Sequence, residues 1–143
     1  MLKINKLADY GLVVMSCLAH QGTLNAREVA AYTHLASPTV SKVLKALTKA
    51  GLLISSRGTQ GGYSLARAAQ KISLNEMLEA LEEDMAITAC AQRPGMCMVE
   101  HYCGIRHNWK MVNQLFQRTL NAITLADMLA PATQFKKKLI ETV

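Results

Sequence analysis

The sequence predicts a mainly α-helical chain carrying one small β-hairpin, and three observations predict it. Apolar residues recur at three- and four-residue spacing in short segments divided by glycine and proline. Two β-prone runs, LLISS and YSLA, flank the glycine-rich stretch RGTQGG. A long helical stretch from about Ile105 keeps one apolar seam through Ile105, Trp109, Val112, Phe116, Leu120 and Ile123. At 143 residues, 50% hydrophobic and 18% charged, the chain has material for one core.

The first helix spans residues 5 to 19, where Leu7, Val14 and Leu18 lie near helical spacing until Gly22 stops the pattern. Asn25 opens a second helix that ends around Thr33; its side chain caps free backbone N–H groups while Glu28 reaches back to it. Ser37 and Pro38 supply an N-cap and a first-turn proline for a third helix, closed by Gly51. Its stripe of Val40, Val43, Leu44 and Leu47 faces a core, which turns Ser41, Lys42, Lys45 and Lys49 to solvent. The hairpin follows, then a helix capped by Ser73 that runs through Leu81 into the acidic run EEDM. After the seam helix, Thr124 and Asp127 form a capping box for a short last helix, which Pro131 ends.

The net charge of +6 is unevenly spread. Residues 1–71 carry nine Lys/Arg against Asp9 and Glu28, a balance of +7, whereas the remainder carries seven against eight, a balance of −1. A basic half beside a near-neutral half points the first half at a polyanion, with a solubilising basic surface as the alternative. Two helices joined by a tight turn and followed by a hairpin with a basic base form a winged helix-turn-helix. In that arrangement the third helix enters the major groove of double-stranded DNA, and Arg57 of the wing touches backbone or minor groove. So small a module does not easily cover the long seam. Pairing with the same helix of a second copy buries it and gives a homodimer that presents two reading heads to a palindromic site. Packing of the seam against its own domain is the alternative. No stretch approaches about 18 uninterrupted apolar residues, and the amino terminus shows no secretory pattern. A cytoplasmic chain with no membrane partner is therefore expected.

Cys90, Cys97 and Cys103 are separated by six and then five residues. That is too wide for Cys-x-x-Cys knuckles, and three thiolates do not complete a four-ligand site. In a reducing compartment such clusters are more often metal ligands or redox groups than disulfides. A structural zinc site of these three with His107 is one possibility, while an electron carrier would have no use for the basic helix-turn-helix. Cys17, inside an apolar helix, reads as a small core residue. No nucleophile with a nearby base, paired carboxylates or phosphate-binding loop is present, so neither an enzyme nor a small-molecule substrate is expected.

KLADYGL, SPTVSKVLKALTKAGL, RGTQGGYSLA, the three cysteines and ITLADML, in that order, resemble the family of dimeric iron-sulfur transcription regulators that includes IscR and NsrR. Within it the chain is most similar to the branch that regulates SUF iron-sulfur assembly, and the resemblance covers residues 1 to about 131. It implies a homodimeric winged helix-turn-helix with a long dimerisation helix, acting as a repressor or other regulator of iron-sulfur assembly genes. A nitric-oxide-responsive or redox-responsive repressor of the same fold is the alternative. It places Thr39, Ser41, Lys42 and Lys45 on the DNA-reading helix and Arg57, Gly61, Gly62 and Tyr63 in the wing. It makes Cys90, Cys97 and Cys103 ligands of an iron-sulfur cluster, with 2Fe-2S favoured over 4Fe-4S.

For the fourth ligand the resemblance favours Asp9 of ADYG, where another branch places an aspartate that reaches the cluster from the partner subunit. His107 is the alternative, with His101, water or a small thiol behind it. Aligning CGIRHNW on Cys103 and Trp109 puts Arg106, not His107, at the histidine position of one branch, so His107 is about 100° of helix rotation out of register. Three soft thiolates with one weaker ligand make a labile, sensor-like centre. The expected organisation is residues 1–71 as the winged helix-turn-helix, 72–131 as linking helix, cysteine loop and dimerisation helix, and 132–143 as a disordered basic tail.

Overall fold

The structure, a computed structural model, describes residues 3–82 and 85–142. The acidic run expected after the fourth helix falls partly on Glu83 and Asp84, outside the described residues. Helix α1 (Lys6–Gln21) begins where the Asn5 side chain accepts the Ala8 N–H, and ends at Gly22, whose φ of 81° suits glycine. Helix α2 (Ala26–Thr33) starts with the expected capping box between Asn25 and Glu28. Helix α3 runs from Ser37 to Lys49 with Ala36 at the N-cap and no side-chain cap, so Ser37 is the first helical residue rather than the cap. Pro38 takes the second position and leaves no N–H that the helix would need.

Strands β1 (Leu53–Ser56) and β2 (Gly62–Leu65) pair antiparallel, Leu53 opposite Leu65 and Ser56 opposite Gly62. Leu24 lies on the other side of β2 and exchanges two backbone hydrogen bonds with Tyr63, of 3.0 and 2.7 Å. The wing is therefore fastened to the segment that starts α2. A Cβ at Gly62 would sit 2.5 Å from the Leu24 carbonyl oxygen, and one at Gly61 would sit 2.4 Å from that of Ser56. Only glycine lets these backbones come so close.

Helix α4 (Leu74–Glu79) opens with a Ser73–Glu76 capping box and is shorter than expected, giving way to turns before Leu81. Short α5 (Ala89–Gln92) precedes the cysteine loop, α6 (Arg106–Ala122) is the long helix, and α7 (Leu125–Leu129) opens with the Thr124–Asp127 box. The starts of α4 and α7 lie side by side: Leu74 N–H donates to the Ile123 carbonyl at 2.7 Å and Leu125 N–H to that of Ile72 at 2.9 Å. Residues 132–143, expected to be a disordered tail, instead carry helix α8 (Ala132–Thr142). Phe135 and Leu139, four residues apart, lay one apolar stripe against the core while Lys136 and Lys137 stay exposed. The three lysines had hidden that period-four signal.

One core serves these elements except α5, which packs on α6. Val14, Met15 and Leu18 of α1, Val29 of α2, Val43, Leu44 and Leu47 of α3, Leu53 of β1, Met77 and Leu78 of α4, and Leu125 of α7 are buried together. Each such side chain contributes about 1.5–3 kcal/mol on leaving water. Helix α1 is the hub, packing on α2, α3, α4, β2 and α7. Its Gly11 meets Leu81, whose side chain occupies the room that a Cβ would need.

Candidate nucleic-acid interface and cysteine loop

Burying Val40, Val43, Leu44 and Leu47 leaves Ser41, Lys42, Lys45 and Lys49 exposed along the opposite face of α3, with Thr39 half-buried at its start. Arg57 is exposed where β1 leaves the hairpin. None of Lys42, Lys45, Lys49 and Arg57 forms an ion pair among the described residues, so all four keep their charge for an outside partner. Helix α3 packs directly on β1, which puts the basic face and the wing on one rigid unit. Gly61, Gly62 and Tyr63 are half-buried. Backbone approach accounts for both glycines, and Tyr63 holds Leu24.

The cysteine loop runs from α5 into α6. Cys90 is buried with its sulfur 3.3 Å from Thr88 Oγ1, and Cys97 and Cys103 are half-buried. Among the described residues no three His, Cys, Asp or Glu side chains come together closely enough to hold one metal ion. The donors thus fit a thiolate-held centre in kind, while their arrangement here is not a closed coordination sphere. Asp9 is exposed on α1 and His107 on α6, and neither joins the cysteines in a ligand group. His101 is exposed as well. Cys17 lies half-buried beside His20 and Tyr32, and burial pushes its thiol pKa up, as befits a packing residue.

The residue that sequence reasoning missed is Glu100. It is 4% exposed, pairs with the Arg106 guanidinium and accepts the Gly95 N–H. The signal was available: Cys97, Glu100, Cys103 and Arg106 follow one another at intervals of three.

The α6 seam divides in two. Leu120 and Ile123 are buried in the chain's own core and Phe116 packs against it, contrary to the expectation that the whole seam meets a second copy. Ile105, Trp109 and Val112 are exposed, and Met111 and Leu115 extend the uncovered strip. Buried Asn113 accepts the Ile87 N–H at 3.0 Å and anchors the chain segment before α5. No helix among the described residues is long and apolar enough to cross a membrane.

A family model described as Rrf2, iron-dependent transcriptional regulator, matches residues 4–131. The chain is 26% identical over 132 residues to the transcriptional regulator NsrR of Oceanobacillus iheyensis, covering 90% of each protein. Among solved structures it is similar to IscR of T. potens, with 28% identity, a TM-score of 0.67 and coverage of 94% of this chain and 96% of that one. It is equally similar to CymR, the global cysteine regulator of B. subtilis, with 25% identity, a TM-score of 0.68 and coverage of 90% and 96%.

Proposed function

From the premise that this chain belongs to the Rrf2 family of transcriptional regulators, we propose that it binds palindromic operator DNA as a homodimer and senses through an iron-sulfur cluster held by its cysteine loop. The observation that carries the DNA half is the exposed, unpaired row of Ser41, Lys42 and Lys45 on α3, with Arg57 beside it on the wing. Cations free of internal partners displace counterions from phosphates, and a helix with one buried face fits the major groove with the other. Thr39 and Ser41 would reach base edges, and Lys42 and Lys45 phosphates or bases. The exposed strip Ile105, Trp109, Val112 is the surface for the second copy.

Cys90, Cys97 and Cys103 would supply the cluster's thiolate ligands, with 2Fe-2S favoured and 4Fe-4S the alternative. When bound, the cluster supplies a centre that oxidants and nitric oxide can damage. As the resemblance implies, Asp9 would serve as fourth ligand from the partner subunit; His107 is the alternative. The regulated genes would be those of iron-sulfur assembly, in the cytoplasm.

A second reading, a redox regulator acting through the thiols themselves, is supported by one observation: the fold is as similar to CymR, a global cysteine regulator, as to IscR. The deciding experiment is anaerobic purification followed by a visible spectrum and iron, sulfide and zinc counts. Iron and sulfide in equal amounts, lost in air together with a change in operator affinity, support the cluster. Bare thiols whose oxidation changes operator affinity support the second reading, and a stoichiometric zinc overturns both.

A further inference from the structure

Three of the described residues that combine burial with a polar side chain are Asn75, Glu100 and Asn113. Asn75 donates to Glu79 within α4, and Asn113 accepts from Ile87 in the segment before α5. Glu100 is different: a buried carboxylate within a loop of turns is destabilising unless it is paired and hydrogen-bonded. Both needs are met from the two ends of the loop. One carboxylate oxygen faces Arg106, the first residue of α6; the other accepts from Gly95, which turns the chain with a φ of 84°.

The backbone extends this arrangement. Glu100 N–H donates to the Cys97 carbonyl at 3.1 Å, and Arg106 N–H donates to the Cys103 carbonyl at 3.3 Å. Each member of the ion pair therefore holds one cysteine by a three-residue turn, and the side chains then hold the two turns to each other. Cys90, in α5, lies outside the span closed by Gly95, Glu100 and Arg106. Among the described residues Glu100 is the ion-pair partner of Arg106, and Arg106 Nε is buried without an acceptor.

We infer that Glu100 and Arg106 are positioning residues: a clasp that sets Cys97 and Cys103 relative to one another and fixes both to the first turn of α6, so that a change at the cysteines is delivered to the helix that carries the dimer surface. The second half of this statement rests on the sensing role proposed above; the first half does not. The Glu100 carboxylate is buried and the Arg106 side chain is 34% exposed, so salt screens this pair less than it screens Arg67–Glu76, where both side chains are exposed.

The test uses the full-length protein in two states. In metal-free, reduced protein, the rate at which each cysteine is alkylated is followed by mass spectrometry for wild type, Glu100→Gln, the double variant Glu100→Gln/Arg106→Met and Arg106→Lys. The double variant leaves no uncompensated buried charge, and circular dichroism checks that each variant is folded. Cys97 and Cys103 should react at least tenfold faster in Glu100→Gln and in the double variant, while Cys17 and Cys90 keep their wild-type rates. Arg106→Lys, which still offers Glu100 a cation, should stay within about threefold of wild type.

In reconstituted protein of matched iron content, the ratio of operator affinities with and without metal should move toward one in the clasp-broken variants. Unchanged rates at Cys97 and Cys103 would overturn the clasp, as would a uniform rise at all four cysteines, which signals general loosening. Raised rates at those two with an unchanged affinity ratio would overturn the coupling. If wild type shows no affinity change with metal, the sensing role fails, and the alkylation rates still decide the clasp.

Discussion

Arg57 is the clearest single-residue lever on DNA binding, because it is exposed, unpaired and carried by a wing that α3 supports. Arg57→Ala should weaken operator binding and reduce the slope of log affinity against log salt by about one, as a titration from low to moderate salt will show. Gly62 tests the opposite kind of role. Its place is set by the Leu24 backbone, so Gly62→Ala should cost roughly 1–3 kcal/mol in thermal or denaturant unfolding and loosen the wing. Equal stability with selectively lost DNA binding would instead return Gly62 to the DNA surface. Glu76 sets a pH limit. The Ser73 backbone N–H and then Arg67 hold its carboxyl below the usual range, so its contribution is complete above the unfolded carboxylate pKa of about 4.3. It fades as pH falls through the lower folded value. Unfolding curves of wild type and Glu76→Gln should therefore differ by a constant amount from pH 5 to 8 and converge only in acid.

At the scale of elements, α6 carries two surfaces that a heptad-like reading merges into one. Val112, 47% exposed, and Leu120, 9% exposed, lie on the same sequence seam and should respond differently to charge. Val112→Asp should give a folded protein that no longer dimerises, whereas Leu120→Asp should unfold it, since about 1.5–3 kcal/mol of burial is replaced by an unpaired carboxylate. Sedimentation and circular dichroism on the two variants separate these outcomes. Helices α1 to α4, α6 and α7 and the hairpin were legible in the sequence because they rest on local rules: an Asn25 or Thr124 with its acid three residues on, and a glycine run between β-prone segments. The division of the seam was not, because a period of three and four says that a face is buried and not what covers it. The α8 stripe escaped for a related reason, since two apolar residues among lysines carry little periodic signal. Glu100 escaped because a carboxylate three residues from each of two cysteines looks like a solvated loop residue until the chain closes around it.

At the scale of the whole molecule, the basic half and the cysteine half share one core, and α1 touches both through α3 and through α4 and α7. The proposed dimer would add a concentration dependence: two reading heads on one palindrome would bind as a unit, so operator affinity should fall off with dilution below the dimer dissociation constant. Fluorescence anisotropy over a range of protein concentrations, compared between wild type and Val112→Asp, will show the variant losing the cooperative part of binding and keeping the salt-sensitive part.

The hydrogen bonds that join Ile72 and Leu74 to Ile123 and Leu125 also dictate an order of events during synthesis. Val14, Met15 and Leu18 leave the ribosome early, yet part of the core that they enter is built by Met77, Leu78 and Leu125. The nascent chain must hold these apolar residues only partly covered until roughly residue 125 has emerged. The reading head and the long helix therefore rest on a core that is complete only when α1 has met both α4 and α7.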